Sequence, residues 1–176
     1  MYHGDVGAPE VARLLDVRQC EGKHAVLEAS ETERAALAKR FDLVRVDRLE
    51  AALDLSRDGA AVDAVGTMTA HFVQSCAVSG EDLPVAASEP VRFRFVPESA
   101  PGAPDEELEL DADELDEIPY SGTDIDMGEA LAQSLGLAID PYLAGPEADA
   151  ARQRAGLSTP ETSGPFAALA ALKRGD

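Results

Sequence analysis

No tryptophan occurs in these 176 residues, and aromatic side chains make up 5% of the chain. Any core must therefore be built from Leu, Val and Ala around five phenylalanines. Long apolar runs are missing too. Nothing approaches the roughly 18 consecutive apolar residues of a membrane-spanning helix, and the opening MYHGDVGAPEVARLL lacks the basic-then-apolar layout of a secretory leader. A soluble, cytoplasmic protein is expected, with no membrane partner. Cysteine is scarce: Cys20 and Cys76 stand far apart, in no ligand spacing, so neither a disulfide framework nor a zinc site is expected. Catalytic signatures are absent as well. The chain has no P-loop, no G-x-G-x-x-G after a strand, no G-x-S-x-G and no H-E-x-x-H, and its acidic run lacks the spaced loop of a calcium site. The expectation is a non-enzymatic binding protein without metal or cofactor.

Positive charge is the other shortage. The formal net charge is −19. Met1–Ser99 holds 11 Lys and Arg against 17 Asp and Glu, whereas Ala100–Asp176 holds 4 against 17. Twelve of those acids fall between Asp105 and Glu129, where no base occurs. Such a field repels phosphate and excludes a stand-alone DNA- or RNA-binding domain of the usual basic kind. It suits a basic partner, or else it is a solvated segment that aids solubility.

What is present reads as α+β. Ser30–Phe41 (SETERAALAKRF) predicts a helix: Ser30 and Glu33 make a capping box, and Lys39 and Arg40 close the last turn. Val11–Arg18 and Ala25–Ala29 read as short strands. Leu43–Arg57 reads as a long strand, because Leu49, Ala51, Leu53 and Leu55 alternate with polar or small residues. Val44 and Val46 keep the other parity, which predicts a bulge near Asp47–Arg48. After the Asp58-Gly59 turn, Ala61–Gln74 is the partner strand. A loop carrying Cys76, Gly80 and Pro84 follows, and then Val91–Pro97, where Val91, Phe93 and Phe95 face one way and Arg92 and Arg94 the other. Glu106–Leu110 could add an edge strand, and Leu115–Thr123 reads as loop. Asp126–Ile139 predicts a second helix, capped by Asp126, with Met127, Leu131, Leu135, Ala138 and Ile139 in a stripe. The expected fold is an antiparallel β-meander covered by helices: one domain over residues 1–143 with the acidic segment 105–129 inside it. Residues 144–176 follow as a flexible linker and a short tail helix, Pro165–Lys173. Phe166, Leu169, Leu172 and Lys173 give that helix its amphipathic face, which either docks on the domain or recognises a partner.

Four stretches together resemble a known family. EASETERAALAKRFDL, QSCAVSGEDLP with FRFVPE, IDMGEALAQSLGLAIDPY and the closing PFAALAALK are similar, in this order, to segments of the YceD family, in particular its alphaproteobacterial branch. The central motif falls on Gln74, Cys76, Ser79, Glu81 and Pro84. Many members carry C-x-x-C there; this chain has Ser79 in the second position, which removes the basis for a metal or redox pair at the hairpin. The resemblance implies a bacterial role in accumulation of large-subunit ribosomal RNA, hence in ribosome biogenesis. Two contact routes follow. Large-subunit rRNA would meet a local patch of Arg92 and Arg94 with Arg45 and Arg48, or a basic ribosomal protein would meet the acidic segment and the tail helix. The competing expectation is an acidic adaptor that binds a metabolic enzyme or other basic partner through its C-terminal helix, with no ribosomal role.

Overall fold

The computed structural model describes residues 10–98 and 117–156. The chain divides into two compact units, Met1–Val73 with Pro84–Ile139, and Gln74–Leu83 with Asp140–Asp176.

The larger unit is built on a five-stranded sheet. Its strands are β2 (His24–Glu28), β3 (Arg45–Asp58), β4 (Ala61–Ser75), β5 (Asp82–Pro97) and β6 (Glu117–Tyr120), side by side in that order. β2 and β3, and β3 and β4, pair antiparallel, while β6 lies parallel to β5. β1 (Leu14–Asp16) pairs antiparallel with β7 (Asp124–Asp126) as a separate ribbon. Alternation decides what the sheet buries. Leu49, Ala51, Leu53 and Leu55 on β3, Met68, Ala70 and Phe72 on β4, and Val91, Phe93 and Phe95 on β5 are all buried. The expected bulge is present: the β3–β4 register shifts between Val46 and Arg48.

Two helices close this core. α1 (Glu31–Arg40) begins with the full capping box: Ser30 N–H donates to Glu33 Oε2 at 2.8 Å and Glu33 N–H to Ser30 Oγ at 3.3 Å. Arg13 then donates to both oxygens of Glu33, at 2.6 and 2.9 Å. The guanidinium, with the cap bonds behind it, pulls the Glu33 carboxyl down to about 2. α1 packs on β3, with Leu37 fully buried. α2 (Met127–Leu137) starts at Asp126, whose Oδ1 accepts the Gly128 and Glu129 N–H groups. Met127, Leu131 and Leu135 of its stripe are buried in the same core as the sheet.

Three expectations need correction. The second strand of the central hairpin begins at Asp82, not Val91, so Pro84 sits within β5 rather than in the turn. The supposed loop Leu115–Thr123 contains β6; Pro119 is tolerated there because β6 is an end strand. In the smaller unit the flexible linker expected within residues 144–176 contains a helix, α3 (Ala148–Arg154). The candidate strand Glu106–Leu110 and the tail helix Pro165–Lys173 lie outside the described residues.

Both glycines of α2 mark close approaches. A Cβ on Gly128 would stand 2.2 Å from the Val11 carbonyl oxygen, and one on Gly136 would stand 2.8 Å from the edge of the Phe41 ring. Backbone yields less readily than a ring. Gly128→Ala is therefore expected to destabilise the protein by roughly 1–3 kcal/mol, although alanine is the better helix former by about 1 kcal/mol. Gly136→Ala is expected to cost less. Thermal melts followed by circular dichroism test this order, and a Gly128→Ala protein as stable as the wild type contradicts the packing.

Candidate functional site

Four of the five family-motif residues, Gln74, Cys76, Ser79 and Glu81, gather in the smaller unit, where the turn after β4 meets the segment that starts at Asp140, while Pro84 belongs to the larger unit. Cys76 N–H donates to Glu81 O (2.7 Å), Gly80 N–H returns to Cys76 O (3.0 Å), and Gly80 takes a positive φ of 74° that favours glycine. The Cys76 sulfur, on a residue only 4% exposed, accepts N–H bonds from Val78 (3.4 Å), Ser79 (3.3 Å) and Gly145 (3.3 Å). These donors favour the thiolate, and the Ser79 hydroxyl and amide do most to push the thiol down to about 6. Gln74 donates to Asp140 O at 2.7 Å, and Glu81 accepts the Glu147 N–H at 3.2 Å. Gly145 has to be small: a Cβ there would lie 1.9 Å from Glu81 Oε1. Gln74, Cys76, Ser79 and Glu81 are thus brought together, and their polar atoms fasten residues 140–147 to the turn. Sequence reasoning missed the Gly145 amide because it lies 69 residues from Cys76.

The four arginines proposed for RNA contact do not form one patch. Arg45 and Arg48 pair with Val73 and His71 at one end of the β3–β4 ladder, while Arg94 reaches Asp58 and Asp63 at the other. Ten residues of strand separate Arg48 from Asp58, about 33 Å at strand rise. Three of the four are also neutralised. Arg94 makes two 2.9 Å bonds to Asp63 and one of 3.0 Å to Asp58. Arg45 bonds Asp47 at 2.9 Å, and Arg48 grips both oxygens of Glu50 at 2.9 and 2.6 Å. Arg92 is exposed and makes no ion pair among the described residues. The candidate docking residues Phe166, Leu169, Leu172 and Lys173 lie outside the described residues.

One cleft in the larger unit has an apolar floor. It encloses about 520 Å³ against Phe95, Ile118, Pro119 and Ala130. At its mouth Arg40 bonds Glu10 (2.8 Å) and both oxygens of Glu129 (2.9 Å each), and its guanidinium stacks 5.1 Å over the Phe41 ring. Glu129, in the first turn of α2, turns its carboxylate to this arginine. Asp126 is committed to the helix start, and the Tyr120 hydroxyl donates to Ala60 O at 2.7 Å. The cleft offers a shaped apolar surface with a carboxylate-rich rim, which suits holding a side chain. Among the described residues no three His, Cys, Asp or Glu side chains converge as a metal site, and no helix is long and apolar enough to cross a membrane.

A five-stranded, mostly antiparallel sheet with helices packed in its core defines a protein of α+β class. The chain belongs to the family described as large ribosomal RNA subunit accumulation protein YceD, which matches residues 64–173. That span takes in most of β4, all of β5, the Cys76 turn and α2. No curated protein and no solved structure matches the chain.

The Cys76 cradle makes a prediction of its own. Ser79→Ala removes the hydroxyl donor and keeps the amide, so the ultraviolet thiolate titration of Cys76 is expected to move up from about 6 toward the roughly 8.5 of a free thiol. Cys20, fully buried and raised by desolvation, does not titrate in that window. An unchanged midpoint in Ser79→Ala removes the hydroxyl from the account.

Proposed function

We propose that this chain is a non-enzymatic factor in large ribosomal subunit biogenesis that works in the cytoplasm by holding a basic ribosomal protein. Family membership supports the ribosomal role. The observation that carries the choice of partner is the pairing of arginines with acids. Arg45, Arg48 and Arg94 each engage a carboxylate, on a chain whose formal charge is −19. Binding rRNA phosphates there requires breaking those pairs against a repulsive field, which favours a protein route over an RNA route. A lysine- or arginine-rich protein instead meets attraction over most of the surface and finds an acid-rimmed cleft for an apolar side chain. Chemistry on the partner plays no part in this reading.

Sucrose-gradient fractionation of cells expressing the full chain tests it. The protein is expected to travel with precursor large subunits, and its removal is expected to lower large-subunit rRNA relative to small-subunit rRNA. A chain that stays at the top of the gradient while precursors accumulate contradicts the proposal.

A further inference from the structure

β2 is an end strand of the five-stranded sheet. The bonds from Leu55 N–H to Lys23 O (2.8 Å) and from Ala29 N–H to Leu49 O (2.9 Å) fix which of its residues face β3. In the antiparallel register, where His24 stands opposite Asp54 and Val26 opposite Ala52, residues 23, 25, 27 and 29 make the hydrogen-bonded pairs. The N–H and C=O groups of His24, Val26 and Glu28 therefore point away from β3, to the open edge. Among the described residues that edge receives one hydrogen bond, from Arg13 Nη2 to Glu28 O at 2.9 Å. β1 flanks the edge without pairing to it, across a shallow groove of about 290 Å³. Two of the most exposed large apolar side chains line that groove, Val26 at 71% and Leu14 at 68%. Unpaired edges with exposed apolar residues are the part of a sheet that accepts another strand.

We infer that this edge is a self-association surface, on which β2 pairs antiparallel with β2 of a second copy of the chain about a two-fold axis through Val26. Reading HAVLE against itself in reverse decides the occupant. Val26 faces Val26 of the second copy, and His24 faces Glu28 in both directions, so every outward residue meets a matching one. Isologous contacts require this self-complementarity. The edge carries charges of both signs: Lys23, His24 and Arg13 stand near Glu28, Glu33 and Asp54. Repulsion between two copies is smallest where such charges offset one another, and physiological salt screens the remainder beyond about 8 Å. Pairing joins two five-stranded sheets into one continuous sheet and covers the two Val26 side chains.

Sedimentation velocity of the full chain over a concentration series at physiological salt tests this. The wild type is expected to show a reversible monomer–dimer equilibrium. Val26→Pro deletes an outward N–H and leaves the β3 ladder intact, and it is expected to raise the dimer dissociation constant at least about tenfold. Val26→Lys sets like charges across the axis and is expected to do the same. Circular dichroism reports whether each variant keeps the fold, and Val26→Lys decides if Val26→Pro melts early. A wild type that stays monomeric throughout, or a dimer unaffected by both folded variants, overturns the inference.

Discussion

The larger unit depends on one carboxylate. Oδ1 of Asp126 accepts the Arg13 N–H at 3.0 Å while also accepting the first free N–H groups of α2. Arg13 lies 113 residues away in sequence, and Met127 N–H bonds back to Arg13 O at 3.1 Å. The β1–β7 ribbon and the start of α2 are thereby one hydrogen-bonded knot. Arg13 carries the tie onward, since its guanidinium clamps Glu33, and Glu33 caps α1. Both helices are thus fastened through a single arginine and two carboxylates. Gly128 follows from the same geometry, because α2 can begin so close to Val11 only without a side chain there.

Charge on this protein is arranged in local pairs within a strongly acidic whole. Arg40 joins Glu10 and Glu129 at the cleft, Arg13 joins Glu33, and Arg94 joins Asp58 and Asp63. Exposed pairs of this kind add little stability individually, roughly 0–1 kcal/mol. Their larger effect is on the charge displayed: Arg13, Arg40 and Arg94 are neutralised where they stand. On the proposed reading, such a surface favours a basic polypeptide over nucleic acid as the ribosomal partner.

Much of this was legible in the amino-acid order. Ser30 with Glu33, and Asp126 before an apolar stripe, announce helix starts through local hydrogen-bond chemistry. The parity change around Val46 announces the bulge. Features that depend on distant partners were not legible. Arg94 looks like a free cation on a solvated strand face until the fold brings the Asp63 carboxylate within 2.9 Å of it. The Cys76 turn looks like an isolated cysteine until Gly145 arrives from another part of the chain. The first half of β5, LPVAASEP, holds two prolines and, apart from Val85, none of the β-branched and aromatic residues that mark strands, and pairing with β4 overrides that weak propensity. α3 hides in a stretch whose glycine and proline suggest loop.

The central claim is that the partner is a basic protein and that RNA is not bound directly. Its most direct measurement is binding of the purified chain, across a salt series, to a large-subunit rRNA fragment and, separately, to individual purified large-subunit ribosomal proteins. The account predicts no rRNA binding even at low salt, and saturable binding of at least one basic protein that weakens as salt rises. Steeply salt-dependent binding to the rRNA fragment, weakened in an Arg92→Ala/Arg94→Ala variant, contradicts it.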